Sequence, residues 1–188
     1  MSQVNAKKLL AAAVGVGAAW LIWRFLLKDR ALNLLSAVGS LPATPRGARV
    51  MATGFANGQP MPLELESIGG GHYLALQAAG AYLAMERAAL NQGVKLRLTE
   101  SFRTVDQQKS LLARLGRYSE GGLASTAGYS PHQRGIAVDL DVGAGGQRGA
   151  TGSNAAWRWL ILNAHSYAFG RDPNEAWHWQ WGGVGAWA

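Results

Sequence analysis

Two short stretches hold the residues best suited to chemistry: Ser130-Pro-His-Gln-Arg-Gly-Ile-Ala-Val-Asp139 and Glu175-Ala-Trp-His178. Together they offer His132, Asp139 and His178, three side chains that can bind a metal, and Glu175, a carboxylate close to the last of them. Three N/O ligands with a fourth position left for water is the donor set of catalytic zinc sites. The chain has no cysteine, so a closed thiolate site is excluded and any transition-metal centre must be built from imidazole and carboxylate.

Each residue also has a plainer reading. His132 follows Pro131 in a loop entering a strand, and a lone histidine there is ordinarily structural. Gly135 can bend the chain after it, so that the imidazole and Asp139 reach one point. Asp139 lies between Val138 and Leu140 in an apolar strand, where an unpaired carboxylate is costly to bury. Asp141, two residues on and so on the same strand face, is the rival ligand; it can also serve as an acceptor for a ligand imidazole or as a turn residue before Gly143. His178 stands among the strand-forming aromatics Trp177, Trp179 and Trp181, where an aromatic-packed core histidine is the alternative. Glu175 precedes it by three, which places it in the loop before that strand, either as a solvated charge or as a general base toward water at a metal. Arg103, at a strand end before a helix, can clamp a substrate carboxylate or stabilise an oxyanion, or can be a surface arginine. Gln107 reads first as the capping-box partner of Thr104. Ser130 can donate to a substrate or form a turn with Pro131. His72 and His165 read as structural.

The elements that must position these groups follow from periodicity and turn signals. Tyr73 to Gln92 is predicted helical with a C-cap at Gly93, and Lys95 to Ser101 alternates as a half-buried strand. Thr104 opens a second helix to about Leu115, and Gly116 to Tyr129 is a long loop. Ile136 to Val142 is a strand, Asn154 to Ala168 a helix and Trp177 to Trp181 a last strand. The mixture without regular alternation predicts an α+β fold: a small, mostly antiparallel sheet flanked by helices, with an N-terminal hydrophobic helix.

That helix is read from Leu9 to Leu27, an apolar run broken by Arg24 and flanked by Lys7, Lys8, Lys28 and Arg30. It is long enough to reach nearly across a bilayer core of about 30 Å. An uncleaved membrane anchor over residues 1–30 is therefore expected, with a cleaved signal peptide as the rival. Residues 31–62 read as a linker rich in Pro and Gly, with an edge strand at Val50 to Phe55 and a turn at Asn57-Gly58, and residues 63–188 as the catalytic domain. The 188 residues carry a formal net charge of +7, which suits an anionic wall or an anionic lipid surface. No Lys/Arg cluster with interleaved aromatics stands out, so nucleic acid is not an expected partner.

The spaced pattern Ser130, His132, Gly135, Ala137, Asp139, then Glu175, Trp177, His178, resembles the zinc D-alanyl-D-alanine carboxypeptidases, the VanY-like peptidoglycan peptidases of the lysostaphin and D-Ala-D-Ala metallopeptidase group. The stretch Ser101-Phe-Arg103-Thr-x-x-Gln107 resembles that family's arginine-containing segment, and the similarity runs from about Leu74 to Trp181. The resemblance implies zinc held by His132, Asp139 and His178, Glu175 as catalytic base, and Arg103, Ser130 and Gln107 on the substrate side. It implies a peptidoglycan stem peptide as substrate, cut as a D-alanyl-D-alanine carboxypeptidase. The alternatives are an L-alanyl-D-glutamate endopeptidase of the phage-lysin kind and a non-catalytic wall-binding or virion structural protein. A wall substrate implies a domain facing the periplasm or cell exterior, held by its anchor, in a cellular or a viral setting.

Overall fold

The computed structural model describes residue 41 and residues 44–117 and 124–182. The expected helix over residues 1–30 lies outside them, and no helix among the described residues is long and apolar enough to cross a membrane. Gly39–Ala188 forms one compact unit. It contains β1 (Arg49–Ala56), β2 (Gln59–Gly69), β3 (His72–Ala75), α1 (Leu76–Asn91), β4 (Leu98–Glu100), α2 (Val105–Leu115), β5 (Ala137–Leu140), α3 (Ala155–Asn163), β6 (Phe169–Arg171) and β7 (His178–Trp181). The fold is α+β with antiparallel pairing, as expected, but the strands form two sheets, β1-β2-β3 and β4-β5-β7-β6.

The first sheet grows from the Asn57-Gly58 turn, where both residues take positive φ (52° and 78°). Such a turn matches the twist of the strands it joins. Its hairpin, β1–β2, lies largely within residues 31–62, the stretch expected as a linker. Ala52, Leu63 and Leu65 alternate inward and pack with Tyr73 and Phe102 into a small core.

Helical periodicity over Tyr73 to Gln92 overran its element. Residues 73–75 are strand, because Ser67, Glu66 and Leu65 of β2 pair with Tyr73, Leu74 and Ala75. Long-range pairing outweighs local propensity here. α1 then buries Ala78, Ala79, Tyr82, Met85 and Ala89 and ends one residue earlier than predicted, at Asn91 with Gln92 as C-cap and Gly93 following at φ 74°. α2 opens with a capping box in which Thr104 and Gln107 satisfy each other's backbone N–H. α3 is capped by Asn154, whose side chain accepts from Trp157 N. It is shorter than expected: a 3-10 turn (Ala164–Tyr167) follows, and Ala168 at φ 60° turns the chain into β6, a strand the sequence did not suggest. The main core lies between α1, α3 and the second sheet, with Tyr82, Leu140, Leu160 and Phe169 at or near zero exposure.

Candidate metal centre and catalytic cleft

Asp139 and His178 meet because β5 and β7 pair in the register Asp139↔His178. Directly opposed residues on antiparallel strands have Cβ atoms about 4.5–5.5 Å apart, within reach of one short and one longer side chain. Asp139 Oδ1 is 2.9 Å from His178 Nδ1. His132 arrives from the 3-10 turn Pro131–Arg134, which Ser130 caps by accepting from His132 N and which Gly135 closes at φ 67°. Its Nε2 is 3.3 Å from Asp139 Oδ1 and 3.2 Å from His178 Nδ1.

The three ligand atoms therefore converge. Ligands held at about 2.0–2.1 Å in a tetrahedral zinc site stand roughly 3.3–3.4 Å from one another, close to the observed spacing. His132 Nδ1 lies 2.7 Å from the Ser101 carbonyl oxygen. Only a protonated Nδ1 can make that bond, so the Nε2 lone pair is left for a metal. Both histidines are buried (4% and 5% exposed), so this donor set is shielded from bulk water. Among the described residues this trio is the group able to hold a metal ion.

The electrostatics agree with the geometry. Burial works to raise the Asp139 pKa, but the adjoining charges and hydrogen bonds of His132 and His178 outweigh it and hold the carboxyl well below its usual range. Burial works to lower the His178 pKa; the hydrogen bond it donates to Asp139 and the charges of Asp139, Glu175 and Asp172 leave it raised. Asp139 is thus an anion before any cation arrives.

A cleft of about 630 Å³ opens on the trio, and Arg103, Ser130 and Glu175 also line it. Glu175 stands in the turn before β7: its N–H donates to Asp172 O (3.4 Å) and its carbonyl accepts from His178 N (2.9 Å). Its pKa is raised, chiefly by burial, with His178 opposing the rise and Asp172 and Asp139 adding to it. A carboxylate so placed is a better proton acceptor than a solvated one. Arg103 is only 7% exposed. Nη1 donates to Gln108 Oε1 at 2.7 Å, and Nη2 lies 3.3 Å from a Glu100 carboxylate oxygen.

Some expected positions fall elsewhere. Gln107 does not line this cleft: its side-chain oxygen accepts from Thr104 N at 2.8 Å, the capping role. Gln108, next to it and fully buried, is the glutamine that reaches Arg103, and it anchors itself by donating to Ser125 O at 2.7 Å. Only the residue's place one step round the helix distinguishes it. Asp141 is no ligand: β5 ends at Leu140, and the Asp141 carboxylate pairs with Arg97 and accepts from Gly143 N. Ser130 lines the cleft while its hydroxyl caps the 3-10 turn. His72 contacts Ser101 Oγ at 3.1 Å, and the His165 ring nitrogen Nε2 stands 3.5 Å from Ser166 Oγ.

Two imidazoles and one carboxylate, with a second carboxylate beside an open cleft, place the protein among mononuclear metallohydrolases in donor chemistry. The chain belongs to the VanY D-alanyl-D-alanine carboxypeptidase family, whose model matches residues 71–184. It is 30% identical over 103 residues to YodJ of Bacillus subtilis (strain 168), a carboxypeptidase by assignment; the match covers 52% of this chain and 38% of YodJ, so the chain spans well under half of that relative. Among solved structures, it is 23% identical to the vancomycin-resistance D,D-pentapeptidase VanY from a VanB-type cassette, a mutant crystallised with Zn(II) (TM-score 0.53, covering 69% of this chain and 86% of that one). It is 24% identical to VanYB in complex with D-alanine-D-alanine (TM-score 0.54, 70% and 86%). These two likenesses establish the shared fold.

Proposed function

We propose that the chain is a zinc-dependent peptidoglycan peptidase that releases the terminal D-alanine of a stem peptide. The observation that carries this reading is the convergence of His132 Nε2, Asp139 Oδ1 and His178 Nδ1 at a cleft that also presents Glu175 and Arg103. Family membership supports it, as do the Zn(II) and the D-alanine-D-alanine held by the two structural neighbours.

His132, Asp139 and His178 hold the metal, which when bound acts as a Lewis acid and makes water a usable nucleophile near neutral pH. Glu175 accepts the proton of the attacking water at its carboxylate and returns it to the leaving amine, so that one group serves as base and then acid. Arg103, fixed by Gln108 and Glu100, presents its guanidinium to the carboxylate of the terminal residue or to the charge that develops on the scissile carbonyl. Ser101, through its carbonyl, holds the His132 ring in the required tautomer. With this substrate the domain works on the wall side of a membrane, and the apolar run at residues 9–27 is its anchor.

The test pairs metal analysis by plasma mass spectrometry, on wild type and His132→Ala, with a mass-spectrometric digest of a pentapeptide muropeptide. About one zinc per chain, absent in the variant, with loss of one D-alanine, is the expected result. Cleavage at an internal stem bond would instead make the chain an endopeptidase. No metal uptake and no cleavage after zinc is added would overturn the enzyme reading.

A further inference from the structure

The whole β1–β2 hairpin lies ahead of residues 71–184, the span matched by the family model, and none of its residues lines the catalytic cleft. It nonetheless grips the Gly128–Gly135 segment that carries His132. At the tip, Gly58 N donates to Gly128 O at 2.9 Å. The approach is so close that a Cβ on Gly128 would stand 2.9 Å from Gly58 Cα, and one on Gly58 would stand 2.8 Å from the Tyr129 hydroxyl oxygen. Midway along β1, a Cβ on Gly54 would lie 2.9 Å from the Gln133 carbonyl oxygen and 2.8 Å from Leu63 Cδ2. At the far end of the segment, a Cβ on Gly135 would stand 3.0 Å from Leu65 Cδ2 of β2.

Within the segment, fully buried Gln133 ties the two ends together by accepting from Gly128 N at 2.6 Å. Hairpin and segment therefore touch backbone to backbone at Gly54 and Gly58, with no side chain between them to absorb an error. The consequence falls on His132. Asp139 and His178 are placed by the register of the second sheet, whereas the backbone at His132 is placed by what the segment rests on: the hairpin, together with Arg103 N, which donates to His132 O at 3.2 Å, and Ala75 N, which donates to Gly135 O at 2.8 Å. Ser101 O orients the ring but does not set where the turn sits.

We propose that the β1–β2 hairpin is a positioning element of the metal centre, with Gly54 and Gln133 as its positioning residues. Gly54 lets the strand approach the Gln133 carbonyl, one residue from His132, and Gln133 locks the segment against Gly128. The metal-affinity half of the test rests on the metal reading above; the exchange half does not.

The experiment uses the full chain as Gly54→Ala and Gln133→Met, with Val50→Ala as a control that loosens the hairpin's own packing away from the Gly128–Gly135 segment. Zinc affinity is measured by competition with a chromophoric chelator. Hydrogen exchange at the Gly128, Gln133 and Gly135 amides is followed in metal-free protein. Gly54→Ala and Gln133→Met should each weaken zinc binding about 10- to 100-fold, as loss of support to a ligand typically does. They should also speed exchange at those amides at least about tenfold while α3 amides are unchanged. Val50→Ala should lower the melting temperature but leave zinc affinity within about twofold.

Wild-type affinity and wild-type exchange in both test variants would overturn the proposal. So would an equal loss of affinity in Val50→Ala, since the hairpin would then act only through overall stability. If wild type takes up no zinc, the metal reading fails and exchange alone decides: acceleration confined to residues 128–135 supports the clamp, and uniform acceleration refutes it. Should Gly54→Ala not fold, Gln133→Met carries the same comparison.

Discussion

Replacing Gln108 by Met tests whether Arg103 works by being held. The Gln108 side chain is fully buried and accepts from Arg103 Nη1 at 2.7 Å. Methionine fills a similar volume without a comparable acceptor. The lost bond involves a charged donor, a class worth about 1.5–3 kcal/mol. Felt entirely at the substrate, that is roughly a 10- to 150-fold change in kcat/KM, at about 1.4 kcal/mol per factor of ten. The Glu100 contact at 3.3 Å remains and keeps Arg103 near the cleft, so the lower end of that range is expected. The form of the loss identifies the role. An arginine that grips the terminal carboxylate equally in ground and transition states gives a raised KM with kcat intact; one that stabilises developing charge gives a fall in kcat. Steady-state release of D-alanine from a pentapeptide, compared with its C-terminal amide, separates the two. A carboxylate clamp leaves activity on the amide within about twofold in Gln108→Met, because the amide never used it. If Gln108→Met melts lower but keeps both kcat and KM on the free acid within about twofold of wild type, the bond to Arg103 is structural and the reasoning fails.

Four further outcomes follow from the structure. Zinc at 100 times its dissociation constant should stabilise the fold by about 2.7 kcal/mol. By calorimetry that raises the melting temperature roughly 5–10 °C, and EDTA, or His132→Ala or Asp139→Ala, abolishes the increment. Glu175→Gln should keep zinc while kcat falls by about 10²–10⁴. The same variant tests a sign in metal-free protein: because burial raises the Glu175 pKa, its stabilising contribution is complete below the unfolded value near 4.5 and is lost as pH climbs through the folded value. At neutral pH metal-free Glu175→Gln should therefore be the more stable protein in urea titrations, and equal or lower stability would contradict the burial argument. Thr104→Ala should cost about 1 kcal/mol by removing the cap of α2, read as a lower urea midpoint with zinc content unchanged.

What the sequence showed and what it hid divide along one physical line. Asp139 and His178 stood out because each was chemically out of place, a charge in an apolar strand and an imidazole among tryptophans, whereas His132 and Glu175 were singled out by their spacing from these two; the structure brings His132, Asp139 and His178 together. The capping box at Thr104 was legible because it is local. Features set by partners far along the chain were not. Tyr73 to Ala75 continue a helical pattern yet belong to β3, since their partners Leu65 to Ser67 lie on another element. Asp141 shares a nominal strand face with Asp139, but the strand ends between them and Arg97 draws the carboxylate away. The spacing from Thr104 marks Gln107 as the cap, but nothing local marks Gln108; only the seating of α2 turns it inward to Arg103. β6, with three residues, is too short to carry any periodicity.

The same line predicts how the site should break. Asp139 and His178 sit opposite each other on a backbone ladder, so changing their distance means breaking β5 from β7, and with them the main core. His132 sits on a turn whose place depends on a few close approaches at glycines. Substitutions in the second sheet should therefore reduce stability and metal binding together, whereas substitutions under the turn should reduce metal binding first. A set of core variants, for example Val138→Ala beside Gly54→Ala, separates these cases when zinc affinity is plotted against unfolding free energy. Points from the sheet and the turn falling on one line would mean that the three ligands are held as a single unit, and the separate positioning of His132 would have to be abandoned.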